Sequence, residues 1–515
     1  MVLFLLLSII FFSCYEELVD NPSSNKAPNT FLFLYPDSTI SQQPSRLRVS
    51  WWGDDPDGTV LGFYFKWEGI DSKWTFTLNN DSTFSLPIGS ADTSYLFLVS
   101  SVDKEGNGIY DAVVIQNGIN YGSEPFVDVN KNGVYNPGEK FFDIGLIDPT
   151  PASTDFPIVN TTPVLTFNEL TVLPDTSFPV MTFAWNADDL DGVETITKIN
   201  IALNDTTLFV SLPGGTRLVT LRTKDFSNPA VEMEILLNGS DLSIFSEKLP
   251  GLKLDDFNKL FIQAEDISGA RSDFISLPDS GTNWYIKKPI GKLLIVDDFQ
   301  TSGVSNNESK QFYNNAFSSI AGGSLTGKFE TYDLFNSSLP FENVTFPETI
   351  KLFDFIFWYS TSQPRLDLLN LVTNEFRESG GKIAFSMTLL DSSSTFQYDI
   401  GSLQGFLPID SLGTRVELSA LLAGADVLPS NQGSGYPILK TTSSIGSART
   451  FHPNNIIAEK VYEVSSTQLN GNIGFKSIDN TLFFIGFPLH VCNGGNANVH
   501  ALLEKIFIDD FGLTP

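Results

Sequence analysis

The chain has 515 residues, and its 60 acidic residues against 31 basic ones give a net charge of −29. This balance argues against nucleic acid as a partner, because phosphate recognition needs clustered lysine and arginine. Three histidines and two cysteines exclude a disulfide-rich scaffold and a Cys/His zinc module. The length predicts about three domains, and a hydrophobic fraction of 42% supplies their cores.

The N-terminus carries an apolar segment at residues 2–12, followed directly by Ser13 and Cys14. A transmembrane helix needs about twenty apolar residues, so this run is too short to span a bilayer. Its length instead fits the hydrophobic part of a signal peptide. The mature chain would then start with a short polar tether, which we place at residues 15–26.

An apolar run, a small residue and a cysteine in this order resemble a bacterial lipoprotein signal peptide at residues 1–14. The resemblance implies cleavage before Cys14 and a lipid anchor on that cysteine. Glu16 and Glu17 resemble the acidic start of Bacteroidota-type surface lipoproteins. Together they imply a membrane partner through the lipid and a place in the bacterial cell envelope, at the outer membrane and exposed on the cell surface. An ordinary secretory signal is the alternative, and the membrane face that carries the lipid stays open.

Two segments, residues 27–165 and 166–287, share one pattern. Each has a strand with a tryptophan, Trp51 or Trp185, that runs into an Asp-Asp-x-Asp-Gly turn. Short strands separated by turn residues predict β-sandwiches. The pattern resembles fibronectin type III and related immunoglobulin-like modules. The Asp-rich turns at 54–58 and 188–192 either hold calcium or simply use Asp and Gly to form the turn.

The first module contains an insertion at about 108–147, far longer than a hairpin loop. Its centre, residues 128–139, resembles the twelve-residue EF-hand loop, with Gly133 at the sharp turn. Oxygen ligands fall at the expected spacing, and the predicted metal ligands are Asp128, Asn130, Asn132, Val134 through its carbonyl, Asn136 and Glu139. The predicted cofactor is therefore calcium.

The residues of this loop also predict the role of the site and its affinity for calcium. Pro137 and the absence of helical periodicity on both sides favour a helix-poor loop with a structural role. Only Asp128 and Glu139 are charged, so the affinity should lie near the weak extracellular range of roughly 10⁻⁴–10⁻³ M. The alternative is a polar Asn/Gly turn without metal.

Residues 290–515 show alternating strand and helix patterns, which predict an α/β domain with a doubly wound parallel sheet. A long insertion at about 391–480 would be irregular, with a few strands near 456–476. The turn at Gly380-Gly381 and the closing run at 485–489 resemble the class I glutamine amidotransferase-like fold, which is flavodoxin-like. Ser386-Met387-Thr388 stands where active members carry a nucleophilic cysteine, which implies a degenerate domain without catalysis. A receiver domain is excluded, because the third strand ends in Trp358-Tyr359-Ser360 instead of an aspartate.

Three residues in this domain are candidates for ligand binding: Asp297, Asp298 and Ser386. They lie at carboxyl ends of predicted parallel strands, where open α/β sheets bind ligands. His490, Cys492 and His500 are alternative catalytic candidates, but no orienting acid or oxyanion site accompanies them in the sequence. We interpret Cys492 as a buried core residue.

The whole sequence therefore predicts a multidomain protein: two immunoglobulin-like all-β sandwiches followed by an α/β domain. The favoured function is a calcium-stabilised, non-catalytic cell-envelope lipoprotein that acts as a surface binding or adhesion scaffold. Its partner would be an envelope or extracellular protein or a glycan. The alternative is an envelope hydrolase or transferase in which Ser386, a histidine and an acid such as Asp298 meet. Carbohydrate binding through exposed aromatics is a third possibility, disfavoured because phenylalanine, a core residue, supplies 44 of the aromatics.

Overall fold

The computed structural model describes residues 24–33, 44–88, 93–226, 231–279, 281–299, 304–337, 339–360, 363–389, 399–413, 420–446, 448–495 and 498–515. The chain divides into two compact units. The first comprises the chain up to Pro163 together with Asp188–Thr195 and Asp266–Ala270. The second comprises Val164–Ala187, Ile196–Glu265 and Arg271–Pro515. Cys14 lies outside the described residues.

The first module is a sandwich of two antiparallel sheets. One sheet has three strands in the order Asn29–Leu32, Arg46–Asp54, Asp81–Ser85. The other has four strands in the order Thr75–Thr77, Val60–Trp67, Thr93–Asp103, Ala152–Ile158. Along Arg46–Asp54 the buried residues alternate with exposed ones, and Trp51 lies on the buried side with Phe97 of the facing sheet. This period of two puts one face of the strand in the core.

The insertion of the first module carries its own hairpin, Val114–Gln116 with Ile119–Gly122. A small apolar cluster that includes Tyr121 and Ile144 packs it against the sandwich strands. The carboxylate of Glu124, which is fully buried, accepts the backbone N–H groups of Asp111 and Ile144 at 2.8 and 2.7 Å. Glu124 thereby joins the beginning of the insertion, at Asp111, to its end, at Ile144.

The second module is also a sandwich. One sheet has the order Val164–Phe167, Val180–Asp188, Leu218–Arg222, Glu234–Leu237, and the other Phe209–Pro213, Ile196–Leu203, Leu260–Asp266, Ile275–Leu277. A small sheet, Thr176–Ser177, Tyr285–Ile286, Asp256–Phe257, lies beside them. Trp185 is buried in the core of this module, as Trp51 is in the first. The prediction of two β-sandwiches is confirmed.

The C-terminal region is built on one nine-stranded sheet. Its parallel half runs Phe329–Asp333, Leu293–Asp298, Phe355–Ser360, Lys382–Ser386, Leu482–Ile485. Four further strands continue it in antiparallel pairings: Asn470–Ser477, Ala458–Ser465, Asp426–Pro429, Leu439–Lys440. Two short strand pairs, Ile409–Leu412 with Phe451–Pro453 and Ala420–Leu421 with Ile445–Gly446, lie apart from it.

Helices connect these strands, and separate apolar clusters cover the two faces of the sheet. The α-helices are Val304–Ser319, Glu342–Ile350, Leu366–Glu378, Ile400–Gln404 and Asn498–Glu504. Short 3₁₀ turns occur at Val193–Thr195, Ile320–Gly323 and Leu489–Val491, and a π-helical turn at Lys505–Asp510. The helix Leu366–Glu378 has one buried face, which is formed by Leu368, Leu369, Val372 and Phe376.

The wholly parallel, doubly wound domain predicted for residues 290–515 is not supported in that form. The chain is mostly β-sheet, and the predicted insertion supplies much of the sheet. Ala458–Ser465 and Asn470–Ser477 form a hairpin, and a short turn then leads into Leu482–Ile485. Short connections of this kind force antiparallel neighbours, because a parallel pair needs a long crossover. The sheet is therefore mixed.

Candidate functional site

Residues 128–139 form a loop that a short antiparallel bridge closes. Phe126 pairs with Phe141, Val127 N–H donates to the Lys140 carbonyl at 2.8 Å, and Phe142 N–H donates to the Pro125 carbonyl at 2.8 Å. Paired extended segments, and no helix, therefore flank the loop. Its sharp turn is made at Gly133, whose φ of +74° is in the left-handed region that favours glycine.

The two charged residues of the loop organise its backbone. The Asp128 carboxylate accepts the N–H groups of Asn132 at 3.1 Å and Gly133 at 2.7 Å. The Glu139 carboxylate accepts the N–H groups of Val129 at 3.1 Å and Asn136 at 2.8 Å. The two ends of the loop are thus tied to its middle.

The three asparagines of the loop meet each other. The side-chain amides of Asn130 and Asn132 both donate to the Asn136 side-chain oxygen, at 2.7 and 2.9 Å. The side chains predicted as ligands at positions 3, 5 and 9 are therefore brought together. All the atoms predicted to bind the metal are oxygens. A carboxylate or amide oxygen that accepts one hydrogen bond still has a lone pair with which to bind a cation. This donor set fits a hard cation such as calcium.

An aromatic cluster supports the loop from one side. Tyr135 stacks on Tyr110 with the ring centroids 3.8 Å apart. Phe126 and Phe141 contact the same pair edge-on, with centroid distances near 6 Å. Such contacts add to the burial of the rings. Tyr135 is the eighth residue of the loop, where an aliphatic residue is usual in EF-hand loops, and its ring contacts anchor the loop.

The structure separates two of the residues predicted to bind a ligand at the C-terminal sheet. Consecutive strand residues point to opposite faces. The Asp298 carboxylate accepts the Trp358 indole N–H at 3.1 Å and the Arg365 backbone N–H at 2.9 Å. Asp297 lies beside Tyr359, on the opposite face of the sheet. Asp297 and Asp298 therefore do not converge on one ligand, and their role in ligand binding stays a prediction.

Ser386 does not meet a histidine. Its hydroxyl is within 3.3 Å of the Tyr313 hydroxyl, donates to the Phe487 carbonyl and accepts the Leu489 N–H, the last two at 3.0 Å. His500 is hydrogen-bonded to Ser319 at 2.8 Å. The serine–histidine–acid set required by the hydrolase alternative is not assembled among the described residues.

Of the remaining catalytic candidates, Cys492 is fully buried and His490 is half-buried. Burial raises the pKa of the Cys492 thiol to about 12 and lowers the pKa of His490 to about 4. Cys492 is fully buried within the apolar cluster of one sheet face. A protonated thiol in such surroundings is a poor nucleophile, so the structure places Cys492 in the core.

One cluster of three carboxylates lies elsewhere in the second unit, at Asp241, Glu348 and Glu375. The ammonium group of Lys351 fills it, at 2.9, 2.7 and 2.5 Å from the three carboxylates. Arg222 pairs with Glu348 from the other side and with Glu234. A cation is already supplied by the chain, so this cluster is an ion-pair network and does not fit a metal.

Sequence reasoning missed two residues that complete the Asp-rich turns. Asn25 and Asn160 each stand at the entrance to a module, three positions before a proline. The side-chain amide of Asn160 donates to Asp266 at 2.7 Å, and that of Asn25 donates to Asp103 at 2.8 Å. The repeated Asn-x-x-Pro spacing is the signal that could have revealed them.

No model of a known protein family matches the chain, and no curated protein matches it either. Similar solved structures include the fibronectin(III)-like modules of Clostridium thermocellum CbhA, at 10% identity over 50% of this chain and 95% of that chain, with a TM-score of 0.15. The chicken interferon gamma receptor alpha chain is similar at 8% identity over 49% and 98%, with a TM-score of 0.18. Immunoglobulin domains 1–5 of Sidekick-1 align at 10% identity over 53% and 83%, with a TM-score of 0.10.

The structural neighbours are thus fibronectin III-like and immunoglobulin-like modules. Because these TM-scores are low, the assignment of the β-sandwiches depends on the sheets and cores described above. Within the described part of the chain, no helix is both long enough and apolar enough to cross a membrane.

Proposed function

We propose that this protein is a non-catalytic scaffold of the bacterial cell envelope, anchored through a lipid on Cys14 and stabilised by calcium. The observation that carries the proposal is the loop at 128–139, where six oxygen-bearing positions at calcium-loop spacing are held together on a β-sandwich. Calcium would be held by the side chains of Asp128, Asn130, Asn132, Asn136 and Glu139 and by the Val134 carbonyl. It would neutralise the two carboxylates and stiffen the long insertion.

The scaffold role is supported by the modules themselves. Two β-sandwiches in series, each with its own buried core, are consistent with a binding or structural role. The first module exposes an aromatic pair, Phe31 and Trp52, stacked with centroids 4.3 Å apart and each more than two-fifths exposed. Exposed aromatic pairs on a rigid sheet favour contact with a protein or a glycan. The C-terminal domain would contribute binding surface and no chemistry.

Calcium titration by calorimetry tests this proposal, together with the variants Asp128→Ala and Glu139→Ala. Loss of one binding site in each variant, and a calcium-dependent rise in melting temperature, would support it. If both variants bind as many calcium ions as the unsubstituted protein, the loop does not bind calcium and its proposed role is wrong. For the aromatic pair, Trp52→Ala should reduce adhesion to envelope glycan or protein extracts while leaving the melting temperature unchanged, and unaltered adhesion would remove the pair from the proposal.

A further inference from the structure

The entrances of the two β modules carry the same four side chains in the same arrangement. In the second module they are Asn160, Asp189, Asp191 and Asp266, and all four belong to the first compact unit. In the first module the corresponding residues are Asn25, Asp55, Asp57 and Asp103. The first two aspartates of each set come from the Asp-rich turn, and the last one ends a central strand.

The hydrogen bonds of the two sets also correspond. Asp189 accepts the Asp191 N–H at 2.9 Å, and Asp55 accepts the Asp57 N–H at 3.2 Å. Asp191 accepts the N–H of Thr161 at 2.7 Å. Asp57 likewise accepts the N–H of Lys26, the residue after Asn25, at 3.3 Å. The chain entering each module is therefore tied to the turn in the same way.

Each set leaves the same two oxygens without a partner. In the second module they are Oδ2 of Asp189 and Oδ1 of Asn160, both buried. In the first module they are Oδ2 of Asp55 and Oδ1 of Asn25, also buried. Asp189 as a whole is only 6% exposed. A buried carboxylate oxygen without a donor is costly, and its recurrence at equivalent positions points to an occupant that supplies positive charge.

The orientation of the Asn160 amide is fixed by its neighbours. Its nitrogen donates to the Thr161 carbonyl at 3.1 Å and to the Asp266 carboxylate at 2.7 Å. Both groups can only accept. The amide oxygen of Asn160 is therefore the free atom, and it is an oxygen ligand like the free oxygen of Asp189.

The surroundings of these oxygens are acidic. The carboxylates of Asp191 and Asp266 lie near Asp189 and add negative charge there. In the first module, a Cβ added to Gly58 would lie 2.7 Å from Oδ2 of Asp55 and 2.8 Å from an oxygen of Glu105. The glycine thus keeps open a space flanked by two carboxylates.

We infer that each β module binds a calcium ion at its entrance, through Asp189 and Asn160 in the second module and Asp55 and Asn25 in the first. Neighbouring carboxylates supply further negative charge, and water completes the shell of six to eight oxygens that calcium takes. The two sites are separate from the loop at 128–139. They tie the incoming chain to the Asp-rich turn of each module.

The test is the number of calcium ions bound per chain, measured by calorimetry with calcium chloride. The full protein should bind three ions, and the loop variant Asp128→Ala should bind two. Asp189→Asn and Asp55→Asn should each remove one ion from either background. Asp188→Asn and Asp54→Asn, which change the preceding exposed aspartate of each turn, serve as matched controls and should remove none.

The result also separates this inference from the calcium loop. If the full protein binds one ion and Asp128→Ala abolishes it, the entrance sites are wrong and the loop stands. If the protein binds two ions that Asp128→Ala leaves intact and Asp189→Asn reduces, the loop is wrong and the entrance sites stand. Melting curves in chelator show whether each variant folds, since Asp189→Asn removes only a charge at a buried position and should melt no lower than the unsubstituted protein.

Discussion

The side-chain amide of Asn160 donates to the carboxylate of Asp266 at 2.7 Å, across 106 positions of the chain. The bond joins the segment that enters the second module to the end of one of its central strands. It also fixes the amide oxygen of Asn160 as a free ligand. Asn160 and Asp266 thus belong to one site although they are far apart in sequence. In the first module, an equivalent hydrogen bond joins Asn25 to Asp103.

A single methyl group should block the entrance site of the first module. Gly58→Ala places a Cβ between the oxygens of Asp55 and Glu105, in the space assigned to the ion. We expect the variant to bind one calcium ion fewer than the full protein, measured by calorimetry. Gly215→Ala is the control, because a Cβ there meets nothing within 4 Å. Equal stoichiometry in both variants would refute the placement of the ion at Gly58.

The Lys351 network should contribute strongly to the stability of the second unit. Lys351 and Glu348 have side chains only 5% exposed. Lys351→Met leaves three carboxylates without their ammonium partner, and breaking a buried ion pair in this way costs about 3–5 kcal/mol. Chemical denaturation measures the change in the free energy of unfolding.

The control for that experiment is an exposed ion pair of the same unit. Lys292 pairs with Asp354 at 3.0 Å, and both side chains are more than half exposed. Lys292→Met should cost less than about 1 kcal/mol. Similar losses in the two variants would show that burial does not set the contribution of Lys351.

Asp298 should make the stability of the protein depend on pH. Burial raises its pKa from the ordinary 3.8 to about 7. The folded state therefore binds a proton that the unfolded state lacks between these values, and stability falls as the pH rises through this range. Each pKa unit corresponds to about 1.4 kcal/mol, so the loss from this group is about 4 kcal/mol.

The variant Asp298→Asn isolates this effect. Asparagine keeps an oxygen that can accept from Trp358 and Arg365, and it does not ionise. The unfolding free energy of the unsubstituted protein, measured relative to that of Asp298→Asn, should decrease from pH 4 to pH 7 and then level off. A constant difference across this range would mean that Asp298 ionises normally in the folded protein.

Glu124 should hold the two ends of the insertion at 108–147 together. Glu124→Ala leaves the N–H groups of Asp111 and Ile144 without their acceptor, at about 1–3 kcal/mol for each buried group. We expect faster amide hydrogen exchange and proteolysis within residues 108–147, and little change elsewhere. Glu169→Ala, at an exposed position, is the control. Uniform loss of protection over the whole module would instead make Glu124 part of the global fold.

Local patterns in the sequence were sufficient to predict the two sandwiches. Trp51 and Trp185 are both buried strand residues, and each strand leads directly into an Asp-rich turn. These are short-range signals that depend on neighbouring residues. The loop at 128–139 is likewise contiguous, so its possible ligands could be read off one segment.

Long-range relationships were not predictable in the same way. The pairing of Asn160 with Asp266 joins residues far apart in sequence. The pairing of Ala458–Ser465 with the parallel half of the C-terminal sheet, through Asn470–Ser477, depends on a Gly- and Ser-rich region that gave only weak strand signals. Asp297 and Asp298 lie on opposite sides of the sheet because strand alternation sends neighbouring side chains to opposite faces.

The measurement that tests the central claim most directly is calcium titration of the protein by calorimetry beside Asp128→Ala and Glu139→Ala. The account predicts that each substitution removes one calcium ion and part of the calcium-dependent rise in melting temperature. Unchanged stoichiometry and an unchanged rise in both variants would contradict a calcium-stabilised insertion.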